Sequence, residues 1–178
     1  MINYFELFKI PVHYYVDLTA LRKQFYVLSR QTHPDQNQGA DAQEESSKLN
    51  EAYKTLSDPI LRLKHIIELF RGQAIEENVP FEDQGFIMQM MDLHEKIQDA
   101  MLQDSSDDIE TVRSEIEDYK EFQMHHMQKD LLSIDQLDKI EDPLVDKLIQ
   151  YYFKLKYFNR LEKAISKHCL NLLNVNRN

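Results

Sequence analysis

Residues 17–35 read DLTALRKQFYVLSRQTHPD, and the fold follows from how this stretch begins and stops. Leu18, Leu21, Phe25 and Leu28 recur at three- and four-residue spacing behind Asp17, a residue type that caps helix N-termini, so Asp17 to about Gln31 is predicted helical. Thr32-His33-Pro34-Asp35 stops the helix, because proline disfavours α geometry at the residue before it, and Gln36-Asn37-Gln38-Gly39 continues as polar loop. A second helix is expected from about Asp41 to Leu56, with Leu49, Ala52, Tyr53 and Leu56 on one face. The two should pack antiparallel with the loop at their tip.

Working outward, Ser57-Asp58-Pro59 combines a cap with proline at a first helical position, and Ile60, Leu63, Ile66, Ile67 and Phe70 make the following helix apolar until Gly72 ends it. Residues 72–83 hold Gly72, Glu76, Glu77 and Pro80 and read as the linker, which sets expected boundaries of 1–71, 72–83 and 84–178. Three further helices are predicted, about Gln84–Gln103, Asp107–Leu131 and Glu141–Leu173, joined by short connections that favour a three-helix bundle. With 3 Gly and 5 Pro in 178 residues and 29% charged side chains, the expectation is an all-α protein.

The single cysteine, Cys169, has no partner for an internal disulfide, and no Cys/His quartet has zinc-finger spacing. The first residues, Met1 to Phe8, lack the basic start and apolar run of a signal peptide, and no stretch approaches the roughly 20 apolar residues of a membrane span, so a soluble, cytoplasmic protein is expected. The charge is asymmetric: residues 1–71 hold nine Lys/Arg and nine Asp/Glu, leaving twelve against twenty-two of the chain's 21 and 31 for residues 72–178. That acidic half disfavours nucleic acid and anionic membrane and favours a protein partner with basic patches.

An amphipathic helix, His33-Pro34-Asp35 directly after it, and a second helix ending Asn50-Glu51-Ala52-Tyr53-Lys54-Thr55-Leu56-Ser57-Asp58-Pro59 with Arg62 beyond together resemble a J-domain. Along nearly the whole chain the resemblance is to the HscB family. It covers Tyr4-Phe5-Glu6-Leu7-Phe8 leading to Pro11, then Phe86 to Glu95, and finally Lys154-Leu155-Lys156-Tyr157-Phe158. Neither the Gly/Phe tract nor the repeated Cys pairs of a general DnaJ is present, and without the Cys-rich N-terminal segment of eukaryotic members a bacterial form is favoured. The resemblance implies that His33, Pro34 and Asp35 trigger ATP hydrolysis by a DnaK-type chaperone of the HscA kind, with Arg22, Lys23 and Arg30 on the preceding helix as its docking cations. It implies no enzyme chemistry and no cofactor or metal.

In the helix from Gln84, Phe86, Met90, Leu93, Ile97 and Ala100 form the bundle-facing stripe. Ile87, Met88 and Met91 are apolar beyond what that stripe needs, and Asp92, Glu95 and Asp99 continue their side of the helix. Such a surplus either packs against the linker or the first domain, or serves as an adaptable partner site with an acidic rim. The resemblance implies the second, with Tyr157 of the last helix added and the iron–sulfur scaffold IscU as partner. Gln89 and Lys96 stand where acidic residues are common in the family.

Other candidates fail on geometry. His94-Glu95-Lys96-Ile97-Gln98 lacks the second histidine of a zinc-protease helix, and His125 and His126 point about 100° apart on one helix. No Gly-rich phosphate loop occurs, and nothing local supports a triad around Cys169. A J-like helical protein that only associates, without stimulating a chaperone, is the competing expectation, and the intact His33, Pro34 and Asp35 argue against it.

Overall fold

The computed structural model describes residues 2–31, 41–76, 81–134 and 142–175, excepting the side chains of residues 41, 42, 142 and 171–175. His33, Pro34 and Asp35 lie outside the described residues, as do residues 77–80 within the expected linker. The described residues form seven helices: α1 Tyr4–Leu7, α2 Leu18–Gln31, α3 Asp41–Ser57, α4 Pro59–Arg71, α5 Gln84–Leu102, α6 Ser106–Ser133 and α7 Asp142–Val175. The protein is all-α. Two compact units form, one from Met1–Ile75 with Gln128–Ile149, the other from Glu76–Met127 with Gln150–Asn178.

In the first unit α1, α2 and α4 each start where a short polar side chain takes up free amides, Asn3 accepting from the Phe5 amide at 3.0 Å. Asp17 Oδ1 accepts from the amides of Thr19 and Ala20 at 2.8 and 3.0 Å, and Asp58 Oδ1 from those of Ile60 and Leu61 at 2.8 and 2.9 Å. Pro59 follows at a position where its missing N–H costs nothing, and Gly72 closes α4 at φ 68°, the left-handed geometry that glycine adopts without strain. Phe5, Phe8, Leu21, Leu56, Leu63, Ile66 and Ile67 are buried, and Phe25 stacks on Tyr53 at 4.2 Å between ring centroids, joining α2 to α3. Leu18, expected on the packed face, is 51% exposed: it is the first residue of α2, a turn short of the buried Leu21.

Among the described residues of this unit, Arg62 and His65 are polar and buried. The Arg62 guanidinium donates to the carbonyls of Leu56 at 2.7 Å, Tyr14 at 2.6 Å and Ser57 at 3.4 Å, and lies over the Tyr14 ring. It thus satisfies the C-terminal carbonyls of α3 and pins the segment before α2. His65 Nε2 accepts from the Tyr4 amide at 3.1 Å and the two rings stack at 4.4 Å, which holds α1 against α4.

The second unit packs α5, α6 and α7 around Phe86, Met90, Leu93, Ile97, Ala100, Ile109, Val112, Ile116, Phe158, Leu161 and Ile165. The stripe expected on α5 is buried to the residue, each member 4% exposed or less. Ion pairs link the helices at the rim: Lys96 with Glu115 at 2.8 Å, and Lys120 with Glu162. Lys154 of α7 is tied to all three helices, reaching Asp83 at the cap of α5 at 2.6 Å and Gln123 of α6 at 3.0 Å while its ammonium lies 5.2 Å from the Phe86 ring centroid. Among the described residues no helix is long and apolar enough to cross a membrane.

Candidate protein-interaction sites

Helix α5 needs one apolar stripe and carries more. With the stripe turned inward, Ile87, Met88 and Met91 are left 39%, 72% and 65% exposed, well above what a packed side chain shows. Against α5 stands α7, whose Tyr152 and Phe158 are buried while Phe153, Lys156 and Tyr157 are half-buried and Arg160 is exposed. Between the two helices lies an open cavity of about 310 Å³, lined by Phe81, Phe86, Ile87, Met90 and Met91 on one side and Phe153, Lys156, Tyr157 and Arg160 on the other. Phe86 meets Phe81, Tyr157 and Phe158 at centroid distances of 5.2, 6.2 and 5.5 Å, so the floor is a rigid aromatic cluster.

Of the residues expected here, Ile87, Met91 and Tyr157 are brought together in this groove. Met88, Asp92 and Asp99 fall in a sector about 60–100° further round α5 than Met91, and Glu95 about 40°. All four are exposed but none lines the groove. Asp92 is also held by Lys96 at 3.2 Å, and that lysine pairs with Glu115 as well. Glu115 and Asp92 together raise the Lys96 pKa. Sequence reasoning missed Phe81, Phe153, Lys156 and Arg160. Their signal, an aromatic two residues before the α5 cap and cations one turn apart on α7, becomes specific only once the helices are placed side by side.

On the N-terminal unit, Arg22, Lys23 and Arg30 are all exposed on α2, and they share a face with Tyr26 and Val27, 55% and 56% exposed. Arg22 donates to the Tyr26 hydroxyl at 3.3 Å and lies over its ring. His94 contacts Gln98 at 3.1 Å, and His125 and His126 are exposed, His126 beside Phe122. Among the described residues no group of three His, Cys, Asp or Glu side chains could hold a metal ion.

Residues 3–65 match the model of the DnaJ domain, and residues 82–166 that of the HSCB C-terminal oligomerisation domain. A co-chaperone protein HscB homolog of Pasteurella multocida is 35% identical over 123 residues, 65% of this chain and 71% of that protein. The chain belongs to the HscB co-chaperone family. An HscB homolog of Shewanella baltica matches over a longer span, 27% identical across 93% of this chain and 95% of its own. In fold it is similar to the chaperone HscB of Vibrio cholerae (TM-score 0.72, 24% identity, 93% and 96% of the two chains). Human co-chaperone HscB is likewise similar (TM-score 0.77, 22% identity, 93% and 81%). As an HscB-type co-chaperone the protein is not an enzyme.

Proposed function

We propose that this HscB-type protein is an adaptor: its J-domain stimulates ATP hydrolysis by an HscA-like, DnaK-type chaperone, and its C-terminal bundle presents the iron–sulfur scaffold IscU to that chaperone. Maturation of iron–sulfur proteins in a bacterial cytoplasm is the process served, in keeping with the bacterial homologs it matches. The observation that carries the scaffold half is the groove between α5 and α7, an apolar, aromatic-floored opening on a helix that leaves Met88 and Met91 more than half exposed. Exposed methionine is unbranched and polarizable and adapts to a partner's contours. The chaperone half is supported by the J-domain match and by the exposed cations of α2, with His33, Pro34 and Asp35 as the trigger.

Steady-state ATPase of an HscA-type chaperone, measured with and without the protein and with IscU added, tests the reading. Stimulation that disappears in the folded Asp35→Asn and His33→Gln variants is expected. Absence of stimulation by the wild-type protein would instead favour a helical protein that associates without activating a chaperone.

A further inference from the structure

Among the described residues that line the groove the charged ones are cations, Lys156 and Arg160, with no carboxylate. Counting round α5 at about 100° per residue, Asp92 and Asp99 lie on its outer side, and Glu95 sits between them and the groove edge. The opposite wall is cationic, because Lys156 and Arg160 are one turn apart on α7 and both line the opening. Neighbouring rings hold them there: the Lys156 ammonium lies 5.5 and 5.7 Å from the Tyr152 and Phe153 centroids, and the Arg160 guanidinium 6.0 Å from that of Tyr157. Among the described residues Arg160 pairs with no carboxylate.

Resting on the scaffold-docking reading above, we propose that the groove takes a partner segment of mixed chemistry: an apolar side chain seated over Phe86, Ile87 and Met91, with a carboxylate beside it answering Arg160. Basic groups of the same partner reach over the outer side of α5 toward Glu95, Asp92 and Asp99. A partner of uniformly basic surface meets like charge at the α7 wall, which costs affinity, whereas one that changes sign across its apolar anchor meets opposite charge on both sides. The arrangement therefore fixes the direction in which the segment lies as well as its sign. Arg160 suits the carboxylate because its planar guanidinium can answer both oxygens at once.

Calorimetric titration of IscU into the full-length protein separates this inference from the reading it rests on. Arg160→Glu is expected to weaken binding about tenfold or more at low salt, and Arg160→Gln by less. Thermal unfolding should stay within a degree or two of wild type in both, since the side chain is exposed. The gap between wild type and Arg160→Glu should narrow as salt rises. Unchanged or tighter binding by Arg160→Glu, while Ile87→Ala with Met91→Ala still weakens it, overturns the carboxylate proposal and leaves the groove as the docking site. Binding that ignores the Ile87 and Met91 variants as well, or no binding by wild type, overturns the scaffold reading itself.

Discussion

Arg62 and His65 show how a small helical domain accommodates polar atoms in its core. Three carbonyls lean on the one guanidinium of Arg62, two of them at 2.6 and 2.7 Å. Arg62→Met removes the donors and leaves buried acceptors unpaired, and since each orphaned group costs about 1–3 kcal/mol, a loss of about 3 kcal/mol in urea unfolding is expected. An unchanged midpoint would mean that water replaces the guanidinium. His65 works in its neutral form, with Nε2 as acceptor for the Tyr4 amide. Burial pushes its pKa below the ordinary 6.5, with Glu68 pulling the other way. The unfolded chain therefore binds the proton more readily: the stability from His65 is full above about pH 6.5 and is lost as pH falls through the lower folded-state pKa. Thermal midpoints measured from about pH 7.5 to 5.5 should fall more in wild type than in His65→Gln, whose amide oxygen can still accept but does not titrate. Parallel curves would refute the role. The groove residues divide on the same scale: Met91→Ala should weaken scaffold binding more than Met88→Ala, because only Met91 lines the opening.

At the scale of the helices, the bundle is tied at its groove end by Lys154, which joins the cap of α5, the side of α6 and its own helix α7. Asp83 has two duties there, accepting the Phe86 amide at 2.9 Å and pairing with Lys154, and these bonds hold its carboxyl below the usual carboxylate range. Asp83→Asn keeps the cap and loses the ion pair, whereas Asp83→Ala loses both. The expected order of stability is wild type, Asn, Ala, with about 1 kcal/mol belonging to the cap. Equal destabilisation by Asn and Ala would assign the effect to the ion pair alone. Helix spans were legible in the sequence because caps and periodicity agree: Asp17, Asp58 and Gly72 mark ends that α2 and α4 observe. Helix α1 was not, since four residues, Tyr4 to Leu7, are too few to show a period. The α5 half of the groove was legible as surplus over a stripe. The α7 half was not, because Tyr151, Tyr152, Phe153, Leu155, Tyr157 and Phe158 surround that helix with apolar side chains and mark no single outward face.

For the molecule as a whole, a break in composition at residues 72–83 does not locate every contact. The segment Gln128–Ile149, which holds the end of α6 and the start of α7, joins Met1–Ile75 in one compact unit. Leu131, Ile134, Val145, Leu148 and Ile149 within it are buried. No local pattern announces this, since periodicity shows that a helix has an apolar face and is silent on what covers it. A fragment ending at residue 75 should accordingly unfold at lower temperature and lower urea than the same residues do in the full chain, a comparison readable from hydrogen exchange of Leu56, Leu63 and Ile66 amides. Equal protection in fragment and full chain would show that the returning segment adds nothing. The same discontinuity bears on how the protein is made. Synthesis proceeds at about 5–20 residues per second, so roughly 4–15 s separate the emergence of residue 75 from that of residue 149. Ribosome-stalled chains that stop short of residue 128 should be cut by protease within residues 1–75 faster than chains that extend past 149. During that interval a protein whose family assists other chains is itself an unfinished one, with the cover for its own first unit still being translated.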